Sequence, residues 1–177
     1  MIERIFGLLR DKGLLDDAVV VITSDHGDLL GEYGRVGHGR FAPVDPLLRV
    51  PLLVYDSDGV RSQARALAST VDVAPTLLHR IGAPIPDNWA GEALDAPARR
   101  DAVAMQTSTG RAVVVQTGGA LWKYTVEESG QATRLFNLSR DPQERNDMLL
   151  SADPAVLAIV MAAYRAAFMP AEPQAGS

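Results

Sequence analysis

Apolar residues at the start of the chain, Ile2, Ile5, Phe6, Leu8 and Leu9, recur at helical spacing, and Gly13 supplies a stop. Residues 18–23 (AVVVIT) follow as a nearly unbroken β-branched run. A run that is apolar on both faces predicts a strand of a parallel sheet, covered by helices on each side. Residues 50–55 (VPLLVY) predict a second strand of the same kind. Between them, residues 27–40 are glycine-rich and polar and read as a loop. A helix is expected over 72–80, with Asp72 as its cap, Pro75 in its first turn, and Gly82 with Pro84 closing it. Residues 84–100, rich in proline, glycine and alanine, read as a connector.

The pattern changes after Asp101. Segments 101–107, 111–117, 120–126 and 132–138 are short, β-prone and separated by glycine-containing turns, which predicts an antiparallel meander. Trp122 and Tyr124, on either side of Lys123, read as its packing residues. A last helix is expected over 154–168, with Val156, Ile159, Val160, Ala163 and Ala167 along its apolar side. Residues 171–177 read as a disordered tail. The fold class is α/β over residues 1–100, followed by a small antiparallel α+β subdomain over 101–170.

Composition leaves this picture intact and narrows the function. Apolar residues make up 47% of the 177 and charged residues 22%, the balance of an ordinary globular chain. A net charge of −5 without a Lys/Arg cluster gives no footprint for nucleic acid or an anionic membrane. No apolar run reaches the length of a membrane span. Glu3, Arg4 and Arg10 interrupt the first apolar residues, so the amino terminus does not read as a secretory signal. With no cysteine, disulfides and thiolate chemistry are excluded.

Candidate chemistry is concentrated at Thr23-Ser24-Asp25-His26-Gly27. In open α/β sheets, ligands bind just beyond the carboxyl ends of the strands, which is where Asp25 and His26 fall. A carboxylate beside an imidazole offers one hard oxygen and one nitrogen to a divalent metal. The bland reading, an aspartate that makes a turn and a surface histidine, fits these five residues equally well. Asp28 and Glu32 read as solvated loop carboxylates, and His79 as a solvent-facing residue of the 72–80 helix.

Four ordered stretches carry a family resemblance. Residues 14–34 (LLDDAVVVITSDHGDLLGEYG) resemble the strand and TSDHG…GE-x-G loop of the sulfatase family, and 49–55 (RVPLLVY) its next strand. Residues 72–82 (DVAPTLLHRIG) resemble its D-[LV]-x-PT-[LI] helix, and 135–146 (LFNLSRDPQERN) its LY-[DN]-L-x-x-DP-x-E element. The resemblance implies a partial alkaline-phosphatase-like parallel sheet sandwiched by helices, and metal-dependent hydrolysis of sulfate esters. It makes Asp25 and His26 ligands of a divalent cation, calcium first, with manganese, magnesium or zinc as alternatives. At the position where the family commonly carries a sulfate-binding lysine stands His38. It becomes the candidate substrate contact or leaving-group acid, with Arg40 as a second anion contact. The family's C/S-x-P-x-R nucleophile motif and its early acidic metal pair are not in this sequence. The expectation is therefore the carboxyl-terminal part of a sulfatase domain, inactive without an amino-terminal partner half. Phosphate- or phosphonate-ester hydrolysis, phosphoryl transfer, and a non-catalytic binding or structural role stay open as alternatives.

Overall fold

The computed structural model describes residues 1–38, 42–58, 67–96, 100–128 and 132–169. The tail expected over 171–177 lies outside these residues. In chain order the first elements are α1 (Ile2–Asp11), β1 (Val19–Thr23), β2 (Leu29–Leu30), β3 (Val36–Gly37), α2 (Asp45–Leu48) and β4 (Leu52–Asp56). After them come α3 (Val73–Arg80), β5 (Ala102–Thr107), β6 (Gly110–Thr117), β7 (Ala120–Glu127), β8 (Thr133–Asn137) and α4 (Pro154–Phe168). The chain divides into two compact units, one of residues 1–25 and 50–99, the other of residues 26–49 and 100–177.

In the first unit α1 stops where Gly13 adopts φ +65° and donates its N–H to the Arg10 carbonyl. β1 and β4 pair from Val19↔Asp56 to Thr23↔Leu52, and the pairing is antiparallel. This corrects the parallel arrangement expected of the two strands. The connection between them contains a short ribbon and one turn of helix, not the covering crossover helix that a parallel neighbour requires. Nor are the strands buried on both faces: Val19–Ile22 are half-buried, and Leu53 and Val54 are 53% and 44% exposed.

α3 has the expected span, but Asp72 makes no side-chain cap on it. The carboxylate, only 3% exposed, instead closes the preceding turn (Thr70–Asp72) in a capping box with Ser69. Its Oδ2 accepts from the Ser69 N–H at 2.8 Å and its Oδ1 from the Glu92 N–H at 2.9 Å, which ties the connector to the helix start. Gly91 is required there, because a Cβ would lie 2.0 Å from the Val71 carbonyl oxygen. At the other end of α3, Arg80 bridges Asp56 (2.8 Å) and Asp95 (3.1 Å), and His79 contacts Asp95 at 3.0 Å while staying half-exposed.

The second unit holds the meander, in the order β5-β6-β7-β8 and antiparallel throughout. Strand alternation sorts its two faces. Val113, Val115, Trp122, Tyr124 and Leu135 form a core with Val160 and Tyr164 of α4, and the rings of Tyr124 and Tyr164 meet edge to face at 5.3 Å. α4 has the expected boundaries, with a shifted inner face. Val156, Val160, Ala163, Tyr164 and Phe168 pack inward, while Ile159 is 46% exposed and Ala167 is exposed. The i, i+4 row through Val156, Val160 and Tyr164 sets the face, and the tyrosine ring takes the place an aliphatic reading gave to Ile159.

Candidate functional site

The segment after β1 folds into a small ribbon instead of an unstructured loop. β2 and β3 pair in the register Leu29↔Gly37 and Leu30↔Val36. Between them the chain turns through Gly31 (φ +131°), Tyr33 (φ +55°) and Gly34 (φ +65°). Glu32 supports the turn from its own side chain, accepting the Leu30 N–H. Backbone N–H donors hold its carboxyl below the usual range, so Glu32 is an anionic turn residue. One step further along the same register, Asp28 stands opposite His38.

That placement brings charged groups together. His38 Nδ1 lies 2.6 Å from Asp28 Oδ1, and the rings of His38 and His26 are 4.3 Å apart between centroids. One ligand atom from each of His26, Asp28 and His38 falls within 4.8 Å of the others, and all three residues are exposed. His26 Nδ1 lies 2.9 Å from the Gly27 carbonyl oxygen. A carbonyl can only accept, so Nδ1 carries the proton and Nε2 keeps its lone pair. The carboxylate at His38 Nδ1 likewise leaves the Nε2 edge of that ring for another partner.

Gly27 fixes the base of the cluster. Its N–H donates to the Leu47 carbonyl at 2.9 Å, and a Cβ would lie 2.0 Å from the Pro46 carbonyl oxygen. Only glycine allows α2 to come this close to the backbone between His26 and Asp28.

Of the residues singled out in the sequence, His26 and His38 are brought together. Asp25 ends the strand-side segment of the first unit, where its Oδ1 accepts from Ser24 Oγ at 3.4 Å. Arg40 lies outside the described residues. Asp28, read as a solvated carboxylate, proves to be the partner of His38. Its signal was the near-symmetric placement of Asp28 and His38 about the Gly31-to-Gly34 turn, which becomes informative once the ribbon register is known. A second group went unread: Lys123, fully buried, with Asp45 and Glu144 around it. A lysine between two core aromatics on a strand points to the opposite face, where a buried cation requires acidic partners.

Residues 1–83 match the family model described as Sulfatase. The low-salt glycan biosynthesis sulfotransferase Agl7 of Haloferax volcanii is 36% identical over 124 residues, covering 64% of this chain and 31% of that protein. Arylsulfatase K of Xenopus laevis is 30% identical over 165 residues, covering 81% of this chain and 30% of that protein. The solved structure of BT4656 in complex with its substrate D-glucosamine-2-N,6-O-disulfate matches with a TM-score of 0.77 at 22% identity. That match covers 94% of this chain and 37% of the other. At such identity the likeness establishes the fold, an α/β arrangement of helices with an antiparallel sheet. The sequence matches make the chain similar to the sulfatase family, over residues 1–83 in the family model. It spans less than a third of the length of either relative named here. Among the described residues, no helix is long and apolar enough to cross a membrane.

Proposed function

We propose that this chain supplies the metal-binding and leaving-group side of an enzyme that hydrolyses sulfate esters, the nucleophile coming from a segment outside it. What carries the reading is the convergence of His26, Asp28 and His38 after β1, in a chain whose residues 1–83 match the sulfatase family model. His26 would hold a divalent cation through Nε2, with Asp25 as its neighbouring ligand. An imidazole beside a carboxylate fits such an ion chemically. An imidazole nitrogen in the set suits zinc, whereas calcium, the first choice on resemblance, needs six to eight oxygens and would draw most of them from elsewhere. When bound, the cation supplies positive charge to the ester oxygens.

The remaining work falls to side chains of this chain. Asp28 holds the His38 ring through Nδ1, which sets Nε2 toward the leaving oxygen as proton donor. Arg40, two residues on, would add a guanidinium to the bound anion. No Cys or Ser in a C/S-x-P-x-R context occurs in the sequence, so the reading requires the additional segment. Half-exposed apolar positions on β1 and β4 and a first helix with no buried residue support the same requirement. Transfer of the sulfuryl group to an acceptor other than water is a second reading, favoured by one observation: the Haloferax relative is named a sulfotransferase.

The test uses the enzyme completed with its nucleophile-bearing segment and measures kcat/KM on aryl sulfates and aryl phosphates of graded leaving-group acidity. A general acid at His38 predicts a loss of about a hundred- to ten-thousand-fold in His38→Ala for poor leaving groups, and far less for activated ones. His38→Lys should retain anion binding and favour sulfates over phosphates. Rates unchanged in both variants on every substrate would remove His38 from the site.

A further inference from the structure

Lys123 has no exposed side-chain surface, yet it is cationic and stands in the middle of β7. Its Nζ donates to Asp45 Oδ1 at 3.1 Å and lies 2.5 Å from Glu144 Oε1. The other oxygen of Glu144 is also engaged. Oε2 accepts from the Asp45 N–H at 2.9 Å and from the Tyr33 hydroxyl at 3.2 Å. Burial, followed by the negative charge of Glu144, pushes the Tyr33 phenol above its ordinary range, so it remains a neutral donor.

Two of these residues are held in unusual backbone conformations. Among the described residues, Tyr33 (φ +55°) and Glu144 (φ +54°) are the non-glycine residues with positive φ, and one hydrogen bond joins them. Such a conformation persists where the surrounding contacts over-determine it, and it is common where a geometry is used.

The contacts lead from Lys123 to the histidine cluster by two routes. Through Asp45 they fix the start of α2, whose Leu47 carbonyl receives the Gly27 N–H between His26 and Asp28. Through Glu144 they fix Tyr33 at the tip of the β2–β3 ribbon, whose open end carries Asp28 and His38. Both stems of the cluster are thereby attached to one buried cation on a rigid sheet.

We infer that Lys123, Glu144 and Tyr33 are positioning residues: a clamp, rooted in buried Lys123 and Glu144 and reaching out to the half-exposed Tyr33, that sets the separation of His26, Asp28 and His38 without touching substrate. This deepens the proposed function and rests on its assignment of the cluster. A purely structural role would make the ion pairs stabilise the second unit as a whole. A positioning role makes residues 26–38 loosen first, while the meander stays closed.

The discriminating experiment is hydrogen–deuterium exchange on the full chain without metal, comparing parent, Tyr33→Phe and Glu144→Gln. Peptides over 26–38 report the ribbon, and peptides over 111–126 report β6 and β7. Expected is exchange about tenfold faster over 26–38 in both variants, with 111–126 within about twofold of the parent, the signature of a local opening. Equal acceleration of both regions in Tyr33→Phe, or no change in either, would overturn the inference. Tyr33→Phe decides alone if Glu144→Gln does not fold, since it deletes one hydroxyl and leaves the ion pairs in place. Calorimetric titration with Zn2+ is the second readout, and the clamp variants should bind about tenfold more weakly than the parent, as for a lost supporting contact behind a ligand. Absence of Zn2+ uptake by the parent would count against the site reading alone, because exchange is measured without the ion.

Discussion

Tyr33 shows how far a single residue was legible. The sequence placed it in a polar loop, and nothing local marks it as the donor to a carboxylate 111 positions away. Asp28 was hidden for a related reason, since its role depends on a ribbon register that two short strands do not announce. His26 and His38 stood out by residue type and glycine neighbours, and the structure places their ring centroids 4.3 Å apart. The position of Tyr33 carries a pH dependence whose sign follows from its environment. Its folded-state pKa is raised, so the contact with Glu144 is at full strength below the ordinary phenol value of about 10. Above that pH the unfolded chain loses the proton first, and stability falls as pH climbs toward the folded-state value. Urea midpoints measured between about pH 9 and 11 should drop more steeply in the parent than in Tyr33→Phe. Parallel slopes would show that the hydroxyl is not engaged in solution.

Among the elements, the meander and α4 were the most legible. Period-2 strands with glycine turns and a capped apolar helix carry their signals locally, and the boundaries of α4 agree with the reading. Asp153 caps that helix, accepting the Ala155 N–H at 2.7 Å. Asp153→Ala should therefore cost about 1 kcal/mol. Chemical denaturation of the two proteins measures this, and a loss near zero would mean that the cap is frayed in solution. The direction of β4 was not legible. A continuous apolar run is compatible with either pairing sense, and only the connection, a ribbon and one turn of helix, decides it. Asp72 illustrates the same limit, because its partner Glu92 is 20 residues away, across the connector.

At the scale of the whole molecule, residues 26–49 fold with the carboxyl-terminal unit although they follow a strand of the other. The DP-x-E element thereby gains a structural meaning: Glu144 holds the segment that bears the histidines. The sequence made the family resemblance legible through four motifs, and the absence of a nucleophile motif was legible in the same way. Which donors meet in space was not, since that depends on long-range pairing. The central claim is that this chain carries one side of a sulfate-ester site and needs another segment to complete it. The most direct test is turnover of 4-nitrophenyl sulfate by the purified 177-residue chain, beside the same chain completed with its nucleophile-bearing segment. The account predicts no turnover above background for the chain alone. It predicts measurable hydrolysis by the completed enzyme, reduced at least about a hundredfold in His38→Ala if the reporter is replaced by a poorer leaving group. Robust multiple turnover by the chain alone, abolished by His26→Ala, would contradict it by revealing a nucleophile within these residues.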